Sequence, residues 1–258
     1  MAGALVKGLL ASRAYDRDDI WIAEPLAPRR RALSRSFGVT TTTDNRAVVG
    51  GSSIVVLAVK PQVMDAVIGE IREAVRPSTL FVSIAAGVRL DRLERGLGAG
   101  ARVVRVMPNT PALVGRGMTV AVGGRGASRQ DVARSLRIFR AVGDAVAVED
   151  EQILDAVTGL SGSGPAFVYA FAEALIDGGR HVGLEEGLAT RLALRTVAGA
   201  AAMLTETRLS PAELRTMVTS PGGTTLAGLS HLDAQGFARV VQGAIAAATS
   251  RARELAGG

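Results

Sequence analysis

The sequence contains no cysteine and only two histidines. Without thiols the chain forms no disulfide and no cysteine-ligated zinc or iron–sulfur site, and it has no thiol nucleophile. His181 and His231 are far apart and have no partner at metal-ligand spacing. We therefore expect no metal centre, and we interpret both histidines as ordinary helical residues rather than catalytic acids.

Aromatic residues are also scarce, at 3% of the 258 residues, although the formal net charge is +6. A nucleic-acid surface needs a basic stripe and aromatic side chains on which bases stack. Here the arginines are scattered, and Arg29-Arg30-Arg31 is the one tight cluster. We interpret the charge as a compositional bias and expect no nucleic-acid partner.

Long apolar runs are absent too, since none reaches the roughly 20 residues that span a bilayer. The first residues lack the basic stretch and apolar core of a signal peptide. With 48% hydrophobic and 21% charged residues, the composition is that of a globular protein. We expect a cytoplasmic protein with no membrane partner.

The two parts of the chain differ in pattern. Residues 1–150 alternate apolar, β-branched runs with segments of helical spacing, which predicts a doubly wound α/β sheet that binds ligands at its strand ends. Residues 151–258 contain no convincing strand, and their alanine-rich helices carry few charges, as is typical of helices that pack against a partner chain. We place a domain boundary near residue 150 and expect the second domain to form a homodimer. The predicted strands are 20–24, 53–60, 80–86, 101–107, 119–123 and 145–149, and the predicted helices of the second domain are 166–182, 185–205, 211–218, 224–232 and 239–255.

A dinucleotide fingerprint, G-x-G-x-x-G/A, should follow a strand and open a helix. Gly96, Gly98 and Ala101 match the spacing but follow a predicted helix, so we interpret them as a chance match. The chain instead begins inside a predicted helix, about one strand late for this fold. We expect an upstream strand and glycine turn, because a sheet without its central strand has unpaired edges; a real loss of the pyrophosphate loop is the alternative.

Four strings are much more specific than the fold pattern. They are Leu57-Ala58-Val59-Lys60-Pro61-Gln62, Val104-Arg105-Val106-Met107-Pro108-Asn109-Thr110-Pro111, Leu160-Ser161-Gly162-Ser163-Gly164-Pro165-Ala166 and Val218-Thr219-Ser220-Pro221-Gly222-Gly223-Thr224-Thr225. In this order and spacing, over essentially the whole chain, they resemble the pyrroline-5-carboxylate reductase family. The resemblance implies a Rossmann-like dinucleotide-binding domain, lacking its first strand here, followed by an all-α dimerisation domain. It further implies reduction of 1-pyrroline-5-carboxylate to L-proline by NADPH or NADH, in a homodimer or a ring of dimers.

The expected cofactor residues follow the predicted strands, where small side chains let a ligand approach the backbone. Asn109 lies near the nicotinamide by resemblance; a side chain that hydrogen-bonds its own turn is the alternative. For the Ala58–Pro61 segment the alternative is a plain strand-to-helix turn. The expected cofactor-binding set is Glu24, Ala58, Val59, Lys60, Pro61, Ser83, Ala85, Gly87, Asn109, Ser161 and Gly162.

The choice between NADH and NADPH stays open. Glu24 ends the first predicted strand, where an acid binds the adenosine ribose hydroxyls and favours NADH. The arginines Arg29, Arg30 and Arg31 follow closely and could instead hold the 2′-phosphate of NADPH. A solvated surface acid is the third interpretation of Glu24.

The substrate needs an anion cradle and a hydrogen bond to its ring nitrogen. A loop with two glycines before a helix offers backbone N–H groups and hydroxyls for that purpose. By resemblance Thr225 contacts the nitrogen and Ser220 the substrate, and these are the expected catalytic residues; a helix N-cap is the alternative for Ser220. Ser161 to Pro165 are expected to open a helix that borders nicotinamide and substrate. The expected substrate-binding set is Ser163, Gly164, Ser220, Gly222, Gly223, Thr224 and Thr225.

No strong acid or base belongs to this set, which suits hydride transfer to an iminium carbon, because orientation supplies most of the catalysis. Two alternatives differ in class. An imine reductase or 3-hydroxyacid dehydrogenase is expected to carry a catalytic lysine or aspartate in the helical half, but no lysine follows Lys60. The second alternative is a degenerate helical dimer that binds no cofactor.

Overall fold

The computed structural model describes residues 1–257 and divides into two compact units. The first comprises residues 1–163 together with the chain from Ala247 onward, and the second comprises Gly164–Ala246. The structure thus groups residues 151–163 with the first unit. A functional domain boundary near residue 150 stays a prediction.

The first unit alternates strands and helices, as the sequence predicts. Its helices are α1 (Ala2–Ala11), α2 (Ala27–Phe37), α3 (Asn45–Gly51), α4 (Met64–Ile71), α5 (Leu90–Leu97), α6 (Arg129–Arg140) and α7 (Ile153–Val157). Its strands are β1 (Trp21–Ala23), β2 (Thr40–Thr42), β3 (Ile54–Leu57), β4 (Leu80–Ser83), β5 (Arg102–Pro108), β6 (Gly117–Gly123) and β7 (Gly143–Ala147). Ser128 and Asp131 form a capping box at the start of α6.

The strands form two sheets in the part of the chain that the structure describes. β1 and β2 pair with each other in parallel, and the second sheet has the order β3-β4-β5-β6-β7. Leu57 of β3 lies beside Ser83 of β4, which lies beside Arg105 of β5, so these parallel strands end along one edge. β6 runs antiparallel to β5, because the short turn Thr110–Val114 between them has no room for a crossover.

Helices cover both faces of the larger sheet, and every residue of β4, which lies between β3 and β5, is buried. Phe81 packs on one face with Met64, Ile68 and Leu93 from α4 and α5. Leu80 and Val82 pack on the other face with α1 and α6. Each large side chain buried in this way contributes roughly 1.5–3 kcal/mol, so the core holds the strand ends in place.

The second unit is helical, and the five helices that the sequence predicts are confirmed within a few residues. They are α8 (Gly164–His181), α9 (Glu186–Glu206), α10 (Pro211–Met217), α11 (Thr224–Ala234) and α12 (Phe237–Gly257), the last of which continues into the first unit. Within Gly164–Ala246, the buried residues are Ala172, Ala189 and Ala193, where α8 packs against α9. Among residues 1–257, no helix combines the length and apolar character needed to cross a bilayer.

Candidate functional site

The chain turns sharply at the carboxyl end of β3. Ala58 and Lys60 are exposed, Val59 and Pro61 are half-buried, and Pro61 starts a 3-10 turn that leads directly into α4. Lys60 precedes this turn in an extended conformation. The chain thus passes from strand to helix at this point, and Leu57 at the end of β3 lies beside Ser83 at the end of β4. A cofactor role for the segment stays a prediction.

The segment after β4 is built from small residues. Ser83 is fully buried, and its hydroxyl accepts a hydrogen bond from the backbone N–H of Ala85 at 3.4 Å. Gly87 has φ of +75°, and a Cβ there would lie 3.2 Å from the carbonyl oxygen of Leu255. The left-handed conformation therefore favours glycine at this position, and the close approach of α12 leaves little room for a side chain.

Asn109 follows β5 and joins it to a distant part of the chain. Its Nδ2 donates to the carbonyl oxygen and to the Oγ of Ser161, at 3.2 Å each, and its Oδ1 accepts from the Met118 N–H at 2.9 Å. The predicted residues Asn109 and Ser161 thus lie in direct contact. Gly162 packs against Met107 of β5, since a Cβ at Gly162 would lie 2.6 Å from Cε of that side chain.

Ser161 and Gly162 do not open a helix, contrary to the sequence-based expectation. They lie in the π-helical turn Thr158–Gly162, which continues α7, and Gly164 then begins α8. The π turn arises where the Ser163 N–H bonds the Thr158 carbonyl at 2.8 Å, five residues back. This wider turn brings the Ser161 backbone against Asn109.

Glu24 directly follows β1, and its carboxylate is held within its own turn. Oε1 accepts a hydrogen bond from the Leu26 N–H at 3.0 Å, and Oε2 lies 3.5 Å from Nε of Arg29. The side chain is 15% exposed. Arg30 closes the same turn, because its Nη1 donates to the carbonyl oxygens of Glu24 and Pro25 at 2.8 Å each.

Two ion pairs lie behind the strand ends, and sequence reasoning missed both. Arg105 of β5 is 2% exposed, and its Nη1 lies 2.7 Å from Oε1 of Glu151. The same Oε1 accepts the Leu90 N–H at 2.8 Å. Arg89 pairs with the buried Asp155 at 3.3 Å and donates to the carbonyl of Ala256. An arginine inside the otherwise apolar run of β5 was the signal for a buried carboxylate partner.

In the second unit, the Ser220–Thr225 loop leads into α11. Gly223, rather than Ser220, is the N-cap of α11, which corrects the alternative interpretation of Ser220. The Ser220 carbonyl accepts the Gly223 N–H at 3.0 Å, and Gly222 has φ of +70°. A Cβ at Gly223 would meet the Oγ of Ser220, so glycine at this position leaves room for the Ser220 hydroxyl in its present rotamer.

Thr224 and Thr225 are the first two residues of α11. Both are exposed, and neither hydroxyl makes a hydrogen bond to any residue from 1 to 257. The backbone N–H groups in the first turn of α11 have no acceptor within the helix, and the N-terminus of a helix favours an anion. The loop therefore presents hydroxyl and N–H donors together. Across residues 1–257, no cluster of three histidine or carboxylate side chains is arranged to hold a metal ion.

The chain is similar to known proteins over nearly its whole length. A family model described as pyrroline-5-carboxylate reductase dimerisation matches residues 151–255, and one described as NADP oxidoreductase, coenzyme F420-dependent, matches residues 1–87. Pyrroline-5-carboxylate reductase of Synechocystis sp. is 43% identical over 99% of this chain and 94% of its own length. The enzyme of Methanosarcina acetivorans is 40% identical over the same shares.

Solved structures agree with these sequence comparisons. A pyrroline-5-carboxylate reductase from Coxiella burnetii has a TM-score of 0.93 and 36% identity, covering 98% of this chain and 94% of that one. The Plasmodium falciparum enzyme, solved with NADP bound, has a TM-score of 0.86 and 29% identity, covering 98% and 93%.

Proposed function

Because the chain belongs to the pyrroline-5-carboxylate reductase family, we propose that it reduces 1-pyrroline-5-carboxylate to L-proline with NAD(P)H. The observation that carries the proposal is the 43% identity to a curated reductase over 99% of the chain. All four strings that imply the activity lie within that stretch. In this proposal, residues 1–150 form the cofactor-binding domain, and residues 151–258 form the domain that binds substrate and dimerises.

The first unit fits a dinucleotide. The ends of β3, β4 and β5 lie side by side, and the residues that follow them, such as Ala58, Ala85 and Gly87, are small enough for a ligand to approach the backbone. When bound, the cofactor supplies the hydride. The proposed binding residues are Glu24, Ala58, Val59, Lys60, Pro61, Ser83, Ala85, Gly87, Asn109, Ser161 and Gly162.

Asn109 and Ser161 have a positioning role in this proposal. The two bonds from Asn109 Nδ2 hold both the backbone and the side chain of Ser161. A bound nicotinamide ring would then lie against a preorganised surface. The orientation of hydride donor and acceptor is the main source of rate acceleration in a hydride transfer of this kind. Ser83 contributes through its buried hydroxyl, which shapes the turn that follows β4.

The substrate is proposed to bind at the start of α11. Its carboxylate would interact with the backbone N–H groups there, where a helix N-terminus favours an anion by roughly 0.3–2 kcal/mol. The Thr225 hydroxyl has no protein partner among the described residues and would donate to or accept from the ring nitrogen. The proposed substrate-binding residues are Ser163, Gly164, Ser220, Gly222, Gly223, Thr224 and Thr225, with Thr225 and Ser220 catalytic.

A homodimer formed through the helical unit completes the proposal. A unit that buries three alanines cannot offset its conformational entropy alone. Large apolar side chains on α8 and α9 are exposed, including Tyr169, Phe171, Leu188 and Leu192. A second copy would cover them. The resemblance extends this to a ring of dimers and to a cytoplasmic biosynthetic enzyme. The scattered arginines and short apolar runs support the expectation of no nucleic-acid or membrane partner.

Replacing Thr225 tests the substrate assignment. Thr225→Val keeps the shape but removes the hydroxyl, and losing a hydrogen bond to a charged group costs roughly 1.5–3 kcal/mol. We expect kcat/KM for 1-pyrroline-5-carboxylate to fall roughly 10- to 150-fold, with affinity for the nucleotide unchanged. Thr225→Ser should retain most of the activity.

Thr205→Val is the matched control, since Thr205 is an exposed helical threonine whose hydroxyl bonds only its own helix. If Thr225→Val and Thr205→Val turned over substrate equally well, the nitrogen contact would lie elsewhere. Faster turnover of a 3-hydroxyacid or another cyclic imine by the unchanged protein would replace the proposed substrate.

A further inference from the structure

Arg89 connects three segments of the first unit that are distant in the sequence. It ends the β4–α5 loop, which we define as residues 84–89, and it is the N-cap of α5. Its Nη2 donates to Oδ2 of Asp155 on α7, and its Nε donates to the carbonyl oxygen of Ala256 on α12, at 3.3 Å each. These partners lie 66 and 167 positions away along the chain. One guanidinium therefore holds the loop, α7 and the last turn of α12 together.

The β4–α5 loop contains Ala85 and Gly87 of the proposed cofactor set, and α12 lies directly against it. A Cβ at Gly87 would lie 3.2 Å from the carbonyl oxygen of Leu255. The N–H groups of Ala85 and Val88 make hydrogen bonds of 3.4 Å close to the turn, longer than the roughly 2.7–3.2 Å that is typical of such bonds. The buried side chain of Val88 anchors the loop in the core. Its outer side is held by α12 and by Arg89.

Asp155 connects Arg89 to the segment that carries Ser161. The Asp155 side chain is 5% exposed, and within residues 1–257 Arg89 is the one hydrogen-bond donor to its carboxylate. A buried carboxylate is stable only with such a partner, so this ion pair is expected to persist. α7 continues directly into the π-helical turn Thr158–Gly162, in which Ser161 contacts Asn109. Arg89 thus links the β4–α5 loop to the helical segment that positions Ser161.

We propose that Arg89 is a positioning residue for the nicotinamide cofactor, because it fixes the β4–α5 loop relative to Ser161 and uses the last turn of α12 as a third point of attachment. The assignment rests on the proposed function, in which the loop and Ser161 bind that cofactor. Arginine suits this role, since its planar guanidinium presents several N–H donors in a fixed geometry and serves two acceptors at once. When the loop is released, only a fraction of the molecules presents the binding conformation, and the apparent Kd rises by the inverse of that fraction.

Fluorescence titration of the full chain with NADPH and with NADH measures this effect without turnover. In Arg89→Gln we expect both Kd values to rise roughly three- to tenfold, as for a loop that keeps its binding conformation in about a tenth to a third of the molecules. Lysine keeps a charge opposite Asp155 but has no second nitrogen for Ala256, so Arg89→Lys should lie between Arg89→Gln and the unchanged protein. Arg95→Gln is the matched control on the same helix, because Arg95 pairs with Asp91 of α5 itself. It should leave both Kd values unchanged.

Shortening α12 tests the third point of attachment. Removing residues 255–258 takes away the backbone that contacts Gly87 and Arg89, so we expect a similar rise in both Kd values. Combined with Arg89→Gln, the effects should be less than additive, because both changes release the same loop. Glu254→Ala is the control on α12, since Glu254 pairs with Arg251 on the surface, and it should leave the Kd values unchanged. Fully additive effects would contradict a shared loop.

Hydrogen exchange separates positioning from a role in stability alone. In Arg89→Gln the backbone N–H groups of residues 84–90 should exchange faster, and saturating NADPH should restore part of their protection. Equal Kd values in Arg89→Gln, Arg95→Gln and the unchanged protein would overturn the assignment, whatever the stability of the variants. Faster exchange with no change in Kd would overturn it as well.

A failure of the proposed function gives a different result. A protein that loses nucleotide affinity in Arg89→Gln but does not reduce 1-pyrroline-5-carboxylate keeps the positioning role of Arg89 and loses the proposed substrate. In the active protein, Arg89→Gln should raise the KM for the nucleotide by the same factor as its Kd. The KM for 1-pyrroline-5-carboxylate should stay unchanged, because Arg89 lies outside the proposed substrate-binding set.

Discussion

Removing the Glu151 carboxylate should destabilise the first unit by about 3 kcal/mol. The Arg105 side chain is 3% exposed and lies 2.7 Å from Glu151. Deleting one partner of a buried ion pair costs roughly 3–5 kcal/mol, because the other charge stays buried and unpaired. Glu151 is itself 21% exposed, so water reaches the site and we expect the lower end of that range. The Leu90 N–H loses its acceptor as well.

Urea unfolding of Glu151→Ala, Glu151→Gln and Glu254→Ala measures this cost. Glutamine keeps a carbonyl acceptor for Arg105 and Leu90, so it should cost roughly half as much as alanine. Glu254 pairs with Arg251 on the surface, where both side chains are more than half exposed, so its loss should cost less than about 0.5 kcal/mol. If Glu151→Ala unfolded at the same urea concentration as Glu254→Ala, Arg105 would be solvated and the reasoning would be wrong.

Two further predictions concern acid stability and assembly. Burial alone would raise the pKa of Asp131, but the hydrogen bonds from Arg102 and Ser128 together outweigh it and lower that pKa from its ordinary value of 3.8 to about 2. The stabilisation from Asp131 is therefore complete above pH 3.8 and is lost as the pH falls towards 2. In Asp131→Asn the free energy of unfolding should therefore fall less between pH 3.8 and pH 2 than in the unchanged protein, as followed by circular dichroism. An identical pH dependence in the two proteins would contradict the assignment. In sedimentation, the unchanged protein should be dimeric or larger at micromolar concentration, and Leu188→Arg with Leu192→Arg should shift it towards monomer, whereas Val146→Arg on β7 should not.

The helical half could be predicted well from the sequence because its signals are local. Ser210 and Glu213 form a capping box on either side of Pro211, and α10 begins at Pro211. β2 was not predicted, since Thr40–Thr42 is three residues long, polar and only partly buried, and carries no apolar alternation. The antiparallel direction of β6 was also out of reach, because strand direction depends on pairing with β5 rather than on the composition of either strand.

The family resemblance read from four strings is confirmed, but the contacts among those strings required the structure. Asn109 and Ser161 were both expected at the site, yet their hydrogen bonds span 52 positions of the chain. No spacing rule predicts a contact of that range. The Glu151 pair was missed for the same reason: a carboxylate in an exposed-looking segment, Asp150-Glu151-Gln152, has nothing local to indicate that it neutralises an arginine buried in β5.

Glu24 shows how position and availability differ. Its place after β1 suggested recognition of a ribose, and that inference treats the carboxylate as unoccupied. In the folded chain the Leu26 N–H and Arg29 reach the carboxylate first, because both lie within five residues of it and need no ligand to be ordered. Each carboxylate oxygen then has one local partner, and a second lone pair on each remains for the hydroxyls of a ribose diol. The turn therefore orients the Glu24 carboxylate before any ligand arrives, without using all of its acceptor sites.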